Sequence, residues 1–467
     1  MNVFLKPQFF RDDILANLLL PRTGWRGRSY VVVFPTKYCP VACKHCYFAS
    51  SMPGRNDEGG SLGAADIERV KQFVFDADTE LLQITGGGEP LLQMQSVLEL
   101  IGQGRARRML LNTSGLFASS PARAADTIER IFSAFAANPY CGKFIFRLSV
   151  DEFHLETVKP AKLLNVVSHF RRNFQRYEAA NFTLKLHTLA GDRAVEWLLQ
   201  PLADEVLRLE PTEVVFHDGT ACAIGHAPRM MSQARPDLFN LEETRHALDV
   251  FDEVRDPTPG AFIDDNLDLG LCFLIHEDGD VELWNTAPAD NVANVRSHDF
   301  AAVRHSVLGD VIQLGALDHT APYIEALVAE VDPLSLRRAK SIGSATFLNR
   351  RMFAEARLRL YVSLRVIQDY LADGSLGQAQ LEQLQADTRA ALRLPGEQLR
   401  RLYRESGFDI VEQQLNQPDP SPSELIDLYQ RLKLGHFDVA PTAMVERVRG
   451  ATTLREQVRR DFLAMLG

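Results

Sequence analysis

Cys39, Cys43 and Cys46 fall within eight residues of the segment TKYCPVACKHCYFAS, at spacings of four and three, and no fourth cysteine stands nearby. The remaining cysteines, Cys141, Cys222 and Cys272, are scattered, so the pattern is not a disulfide framework and points to metal binding or catalysis. A structural zinc site closes with four protein ligands. His45 lies inside the triplet and is expected to be too constrained to close the same tetrahedron. A cubane iron–sulfur cluster used only for electron transfer also takes four cysteines. Three thiolates therefore leave one metal position open, which is the mark of a catalytic site. On the triplet alone, zinc stays as the alternative.

The elements that must position these cysteines alternate between strand-like and helix-like segments from residue 29 to about 230. SYVVVF (29–34) is a continuous apolar run suited to a buried parallel strand. LLQIT (81–85), RMLLNTS (108–114), FIFRLSVD (144–151), FTLKLHTL (182–189) and TEVVFHD (212–218) follow it as further strands. Between them lie amphipathic stretches such as AADIERVKQFVFDA, where Ile67, Val70, Val74 and Phe75 are expected to share a face. Such alternation with right-handed crossovers builds a parallel sheet, curled into a partial (β/α)6 TIM-like barrel or doubly wound. The expected fold class is α/β, as the partial barrel. In either architecture ligands sit at the carboxyl ends of the strands, and the triplet begins five residues after the first strand's VVVF.

The CPVACKHC segment, a C-x3-C-x2-C pattern followed by Tyr47, resembles the signature of the radical S-adenosylmethionine (SAM) superfamily. The resemblance extends over about residues 29–230. It implies one [4Fe–4S] cluster per chain on Cys39, Cys43 and Cys46, with SAM chelating the open iron. Reductive cleavage of SAM to a 5′-deoxyadenosyl radical, followed by hydrogen abstraction from a substrate, is the implied chemistry. ITGGGEP (84–90) resembles the family's GGEP segment, which places Gly87, Gly88 and Glu89 against the methionine moiety of SAM. LSVDEFH resembles the segment that contacts the SAM ribose and carboxylate, making Ser149 and Asp151 candidates, and Tyr47 or Phe48 would lie against adenine. HDGTACAIGHA resembles the segment near the adenine. NTSG (112–115) is expected to be a structural turn. His154, His187, His217 and His226 fall near the ligand edge and, taken singly, are expected to be structural or surface groups.

Beyond the barrel, LCFLIHEDGDVELWN reads as a hairpin turning at EDGD. It resembles the SPASM or twitch extension of many radical SAM proteins, but Trp284 stands where an auxiliary-cluster cysteine would be expected. Cysteine count excludes a four-cysteine auxiliary cluster in one chain, so the hairpin is expected to be a degenerate twitch without metal. From about residue 315 the sequence is helical; FAEARLRLYVSLRVIQDYL places Phe353, Ala356, Leu360, Leu364, Ile367 and Leu371 on one face. QPDPSPSEL reads as a linker and helix start, with Ser421 capping and Glu424 completing a capping box. The expected organisation is an N-terminal segment (1–28), the barrel (29–230), the hairpin region (231–310) and a helical C-terminal domain (311–467).

The formal net charge of −10 argues against a phosphate-backbone partner, despite RARR at 105–108 and FRRNFQR at 170–176, so no nucleic acid is expected. No apolar run approaches a membrane span and no signal peptide is apparent, so no membrane partner and a cytoplasmic location are expected. With no leader-peptide module before the first strand, the expected substrate is a small molecule, a sugar or amino-acid derivative. A ribosomal peptide or protein is the alternative substrate, and a non-catalytic iron–sulfur SAM sensor is the alternative function. An electron donor such as flavodoxin or ferredoxin completes the expected partners.

Overall fold

The computed structural model of the protein describes residues 29–46, 50, 52, 60–189, 191–227, 272–283, 293–308, 315, 321–333, 356–382 and 392–405. Its first half repeats a strand followed by helix. β1 (Ser29–Val33) leads to α1 (Ala64–Asp76), β2 (Thr79–Ile84) to α2 (Met94–Gln103), and β3 (Arg108–Thr113) to α3 (Pro121–Ala136). β4 (Lys143–Ser149) is followed by α4 (Glu152–Thr157), α5 (Pro160–Arg172) and α6 (Phe174–Ala179). After β5 (Phe182–Leu189) come α7 (Ala194–Leu199) and a meander of β6 (Val206–Glu210), β7 (Glu213–Phe216) and β8 (Ala221–Ala227). A hairpin of β9 (Cys272–Ile275) and β10 (Asp280–Leu283) continues into β11 (Ala293–Asn294) and α8 (Phe300–Leu308).

The eleven strands among the described residues form one open sheet in the order β11-β10-β9-β1-β2-β3-β4-β5-β8-β7-β6. Period-two alternation divides it into two faces. Val31, Val33, Leu82, Ile84, Met109, Leu111, Phe144, Phe146 and Leu148 share one core with the buried residues of α1 to α8. Tyr30, Val32, Phe34, Leu81, Leu110, Cys272 and Leu274 form a separate cluster on the other face. All of these helices therefore cover one face, which selects the partial barrel over a doubly wound sheet. Burying each large apolar side chain in the helix-side core stabilises the fold by about 1.5–3 kcal/mol.

Side chains hold the first turn of two of the helices. Ser120 Oγ accepts from Arg123 N at 3.3 Å ahead of Pro121, and Asp66 Oδ2 accepts from Gly63 N at 3.0 Å at the head of α1. In α1 the buried face is Ile67, Val70, Phe73 and Val74; Phe75 is instead 47% exposed, under the Arg105 guanidinium 4.4 Å from its ring centroid. Phe75 lies about 100° further round the helix than Val74, which turns it away from the sheet.

The sixth parallel strand differs from expectation. TEVVFHD contains β7, which runs antiparallel to β8, and it is β8 that pairs parallel with β5 (Lys185↔Ala223 to Leu189↔Ala227). Gly219, at φ +79°, makes the tight turn that folds β7 back on β8, and a local turn of this kind reverses the chain without a crossover helix. The EDGD hairpin is present, and β9 adds to the barrel sheet itself, parallel to β1 (Tyr30↔Cys272 to Val33↔Ile275). Trp284 lies outside the described residues.

The C-terminal helices include α9 (Ala321–Ala329), α10 (Ala356–Ala372), α11 (Gln378–Leu381) and α12 (Gly396–Glu405). In α10 the buried set is Leu358, Tyr361, Val362, Leu364, Val366, Ile367 and Tyr370, broader than one stripe, because α9 and α12 both pack on it. Leu371 is only partly buried. Phe353, Ser421 and Glu424 lie outside the described residues. No helix among the described residues is long and apolar enough to cross a membrane.

Candidate active site

The cysteine loop leaves the carboxyl end of β1 and is laced to the glycine-rich loop leaving β2. Gly88 N donates to Thr36 O at 2.9 Å and Glu89 N to Tyr38 O at 2.8 Å, extending the parallel pairing of the strands beyond their ends. Ser50 joins them again, its hydroxyl donating to Gly87 O and its amide to Cys46 Sγ at 3.4 Å. The glycines serve this contact. A Cβ on Gly88 would lie 2.1 Å from Tyr38 O, and one on Gly86 would lie 1.5 Å from Gly88 O.

Within the loop, Ala42 takes φ +47°, a left-handed conformation that costs an alanine on the order of 1 kcal/mol. The turn directs the Val41 and Ala42 amides at the Cys39 sulfur. Burial pushes the Cys39 thiol up to about 11; those amides oppose the shift, while Glu89 and Cys43 add to it. Left to itself the loop holds a neutral thiol, so a bound cation must supply the charge that displaces the proton. Three cysteines, with amides aimed at the sulfurs of Cys39 and Cys46, are a donor set that fits an iron–sulfur cluster, whose thiolates accept such bonds.

Cys43, the buried member, lies beside the start of α4. Asp151 caps that helix, accepting from Phe153 N at 3.1 Å and His154 N at 2.9 Å. Its Oδ2 also meets His154 Nδ1 at 2.5 Å and His45 Nε2 at 3.7 Å, and His154 hydrogen-bonds the Cys43 sulfur. Burial would raise the Asp151 pKa, but the histidines hold it down at about 2; burial would lower that of His154, but Asp151 and Cys43 keep it well above the ordinary range. Asp151, placed as a SAM contact by resemblance, is thus engaged in capping α4 and orienting His154. His45 stacks on Phe153 at 4.6 Å between centroids, and its ligand atom, that of Cys43 and that of His154 lie within 4.8 Å of one another, a grouping that does not include Cys39 or Cys46.

Glu89 is buried and fully engaged. Oε1 accepts from Thr113 Oγ1 at 2.7 Å and from Leu91 N at 3.3 Å, while Oε2 accepts from Ser114 Oγ at 2.6 Å and Ser114 N at 2.8 Å. The NTSG segment, read as a structural turn, is therefore what fixes the carboxylate. Ser149 is partly buried on the inner face, paired in register with His187. His217 donates its amide to Glu205 O, and His226 meets Pro211 O at 2.5 Å on the exposed side, so neither joins the site. Tyr47 and Phe48 lie outside the described residues.

Sequence reasoning missed Arg147. FIFRLSVD alternates strictly, with Phe144, Phe146 and Leu148 buried under helices and Ile145, Arg147 and Ser149 on the inner face. That period was the available signal. Arg147 Nε donates to Asn112 Oδ1 at 2.6 Å, and Asn112 Nδ2 donates to Thr85 Oγ1 at 2.8 Å.

Residues 23–121 match the family described as a 4Fe-4S single cluster domain, a span that takes in the triplet, the glycine-rich loop and NTSG. The match bears out the expectation of a [4Fe–4S] cluster. No curated protein matches the chain. Among solved structures, "Native anSMEcpe with bound AdoMet" is 15% identical, covering 59% of this chain and 80% of that one, with a TM-score of 0.32. "Native anSMEcpe with bound AdoMet and Kp18Cys peptide" is 13% identical, covering 61% and 83%, with a TM-score of 0.33.

Proposed function

We propose, from a cysteine triplet and a glycine-rich loop that resemble those of the radical SAM superfamily and from the match of residues 23–121 to a 4Fe-4S single cluster domain, that the protein cleaves SAM reductively and abstracts hydrogen from a small-molecule substrate. When bound, the cluster supplies the electron that splits SAM into methionine and a 5′-deoxyadenosyl radical. A flavodoxin or ferredoxin is the proposed electron donor. Cys39, Cys43 and Cys46 hold the cluster, and Gly87, Gly88, Glu89, Ser149 and Asp151 form the SAM side, joined by Tyr47 and Phe48.

The observation that carries this reading is the double lacing of Gly88 to Thr36 and of Glu89 to Tyr38. It holds the metal-binding loop and the proposed methionine-binding loop in one fixed register. The protein's residues then have three tasks. Thr113 and Ser114 hold the Glu89 carboxylate in place. Asp151 orients His154 towards the Cys43 sulfur, a hydrogen bond of the kind that tunes a cluster's potential. The apolar cluster of Tyr30, Val32, Leu81, Leu110 and Leu274 closes the inner face below and excludes water from a reactive intermediate.

Anaerobic reconstitution with iron and sulfide, followed by dithionite and SAM, tests the reading. Wild type forms 5′-deoxyadenosine and Cys43→Ala forms none. Full turnover by the variant would overturn the assignment.

A further inference from the structure

We propose that Arg147, on the inner face of the sheet, receives the anionic group of the substrate, a carboxylate or phosphate, with Lys185 beside it and His187 one step nearer the strand ends. The inference rests on the radical SAM reading for the reaction it serves and on the strand register for its geometry.

Register sets the residues level with one another. Asn112 pairs with Arg147, Arg147 with Lys185, and Ser149 with His187, which pairs in turn with Gly225. Neighbouring strands are about 4.8 Å apart, so side chains at one level on the same face reach a common ligand. Protein surrounds the guanidinium of Arg147, yet the residue keeps accessible surface. Its hydrogen bond is to the neutral Asn112, itself anchored on Thr85, and among the described residues no carboxylate pairs with it. A buried cation without a carboxylate partner is costly to hold, and an anionic ligand is what compensates it. Guanidinium geometry also leaves its two terminal nitrogens as a fork suited to carboxylate or phosphate.

The neighbouring strands are shaped to the same end. Gly225 has no side chain where one would collide: a Cβ there would lie 2.5 Å from Lys185 Cε, 3.3 Å from Lys185 Nζ and 3.2 Å from His187 Nδ1. Lys185 and His187 therefore lie across β8 at the level of Arg147 and just above it. His187 Nδ1 is buried without a hydrogen-bond partner. Burial and the charges of Arg147 and Lys185 push the His187 pKa well below its ordinary range, so the ring is neutral and able to donate or accept. The inner-facing strand residues at these levels, Thr85, Asn112, Arg147, Ser149, Lys185, His187 and Gly225, include no acid. Asp151, nearer the cysteines, is the carboxylate whose charge acts on His187, and it is held by His154.

Two sources offer such an anion: the substrate, and the carboxylate of SAM itself. Arg147 lies two residues, roughly 7 Å along the strand, below Ser149, towards the closed apolar layer and away from the cysteine loop. That depth favours the substrate.

The test uses the reconstituted full chain. Inorganic phosphate and SAM are titrated separately by calorimetry into wild type, Arg147→Gln and Arg147→Lys. Phosphate is expected to bind wild type saturably, about tenfold or more weaker in Arg147→Gln and partly recovered in Arg147→Lys, with SAM affinity unchanged. Equal phosphate binding by all three overturns the proposal, as does a loss confined to SAM, which would assign Arg147 to the SAM carboxylate. Should Arg147→Gln fail to fold, hydrogen exchange of wild type decides: phosphate slows exchange in 145–149 and 185–189, and no slowing overturns the site. 5′-Deoxyadenosine formation is read in parallel. Its absence from wild type alongside Arg147-dependent phosphate binding would sink the radical reading and leave the anion site standing.

Discussion

The amide of Glu89 donates to the carbonyl of Tyr38 at 2.8 Å, one residue before the first cysteine of the triplet. The side chain of the same glutamate is held by Thr113 and Ser114 from the next loop along. One residue thus connects the three loops leaving β1, β2 and β3. A displacement in any of them moves the cluster site relative to the proposed SAM site.

Removal of the buried ligand is the most direct perturbation. Cys43→Ala is expected to abolish cluster binding, measured as iron falling from about four per chain in the reconstituted wild type to near zero. About eight irons per wild-type chain would contradict the reading of the hairpin as metal-free.

Gly88→Ala inserts a methyl group 2.1 Å from Tyr38 O, and backbone cannot yield as a flexible side chain does. A destabilisation of about 1–3 kcal/mol is expected, together with poor cluster retention. Urea unfolding and iron content report the two effects; an unchanged midpoint and full iron would show that the loops are not locked as described.

Ser114→Ala removes one hydroxyl donor from the buried Glu89 carboxylate while leaving the Ser114 amide bond. The expected cost is about 1.5–3 kcal/mol in unfolding free energy, with a raised KM for SAM as the carboxylate loosens. Thr113→Val acts on the other oxygen. Because both act on one carboxylate, the double variant is expected to deviate from additivity.

Asp66 and Arg296 provide a pH-dependent link between α1 and the segment after β11, with Arg296 Nε and Nη2 donating to Oδ1 and Oδ2 at 2.9 and 2.8 Å. Hydrogen bonding to Arg296 lowers the Asp66 pKa; partial burial opposes this. A folded pKa below the unfolded value of about 3.9 means the contribution is complete above that value and fades as pH falls through the folded one. Exposure of the arginine keeps the effect to about 1 kcal/mol at most. Protection of the amides around 294–297, taken against the intrinsic exchange rate at each pH, is expected to fall below roughly pH 4 in wild type, and Asp66→Asn should show the lowered protection already at neutral pH.

Local pattern made much of this protein readable. Strand runs from Tyr30 to Leu189 appear where continuous apolar or alternating segments stand, because the side-chain period is a property of the backbone alone. TEVVFHD misled because an apolar run carries no direction. β7 is a strand, but its partner and sense depend on the turn at Gly219 and on pairing with β8. For the same reason β9, a run of four residues, gave no sign that it would lie beside β1.

Cysteine type and spacing by themselves pointed to a metal held by three thiolates with one position open, since ligand identity is a covalent fact of the chain, and left zinc and iron–sulfur as alternatives. Alternation likewise determined that Arg147 and Lys185 face away from the helices. Tertiary structure alone decided what those groups meet: that Gly88 is glycine for Tyr38 O, that Thr113 and Ser114 hold Glu89, that Asp151 caps α4 and orients His154, and that Gly225 clears a place for Lys185 and His187. The physical reason is distance along the chain. Thr113 lies 24 residues from Glu89, and Arg147 lies 35 from Asn112. Contacts of that separation are fixed by strand order and register, which no local period encodes.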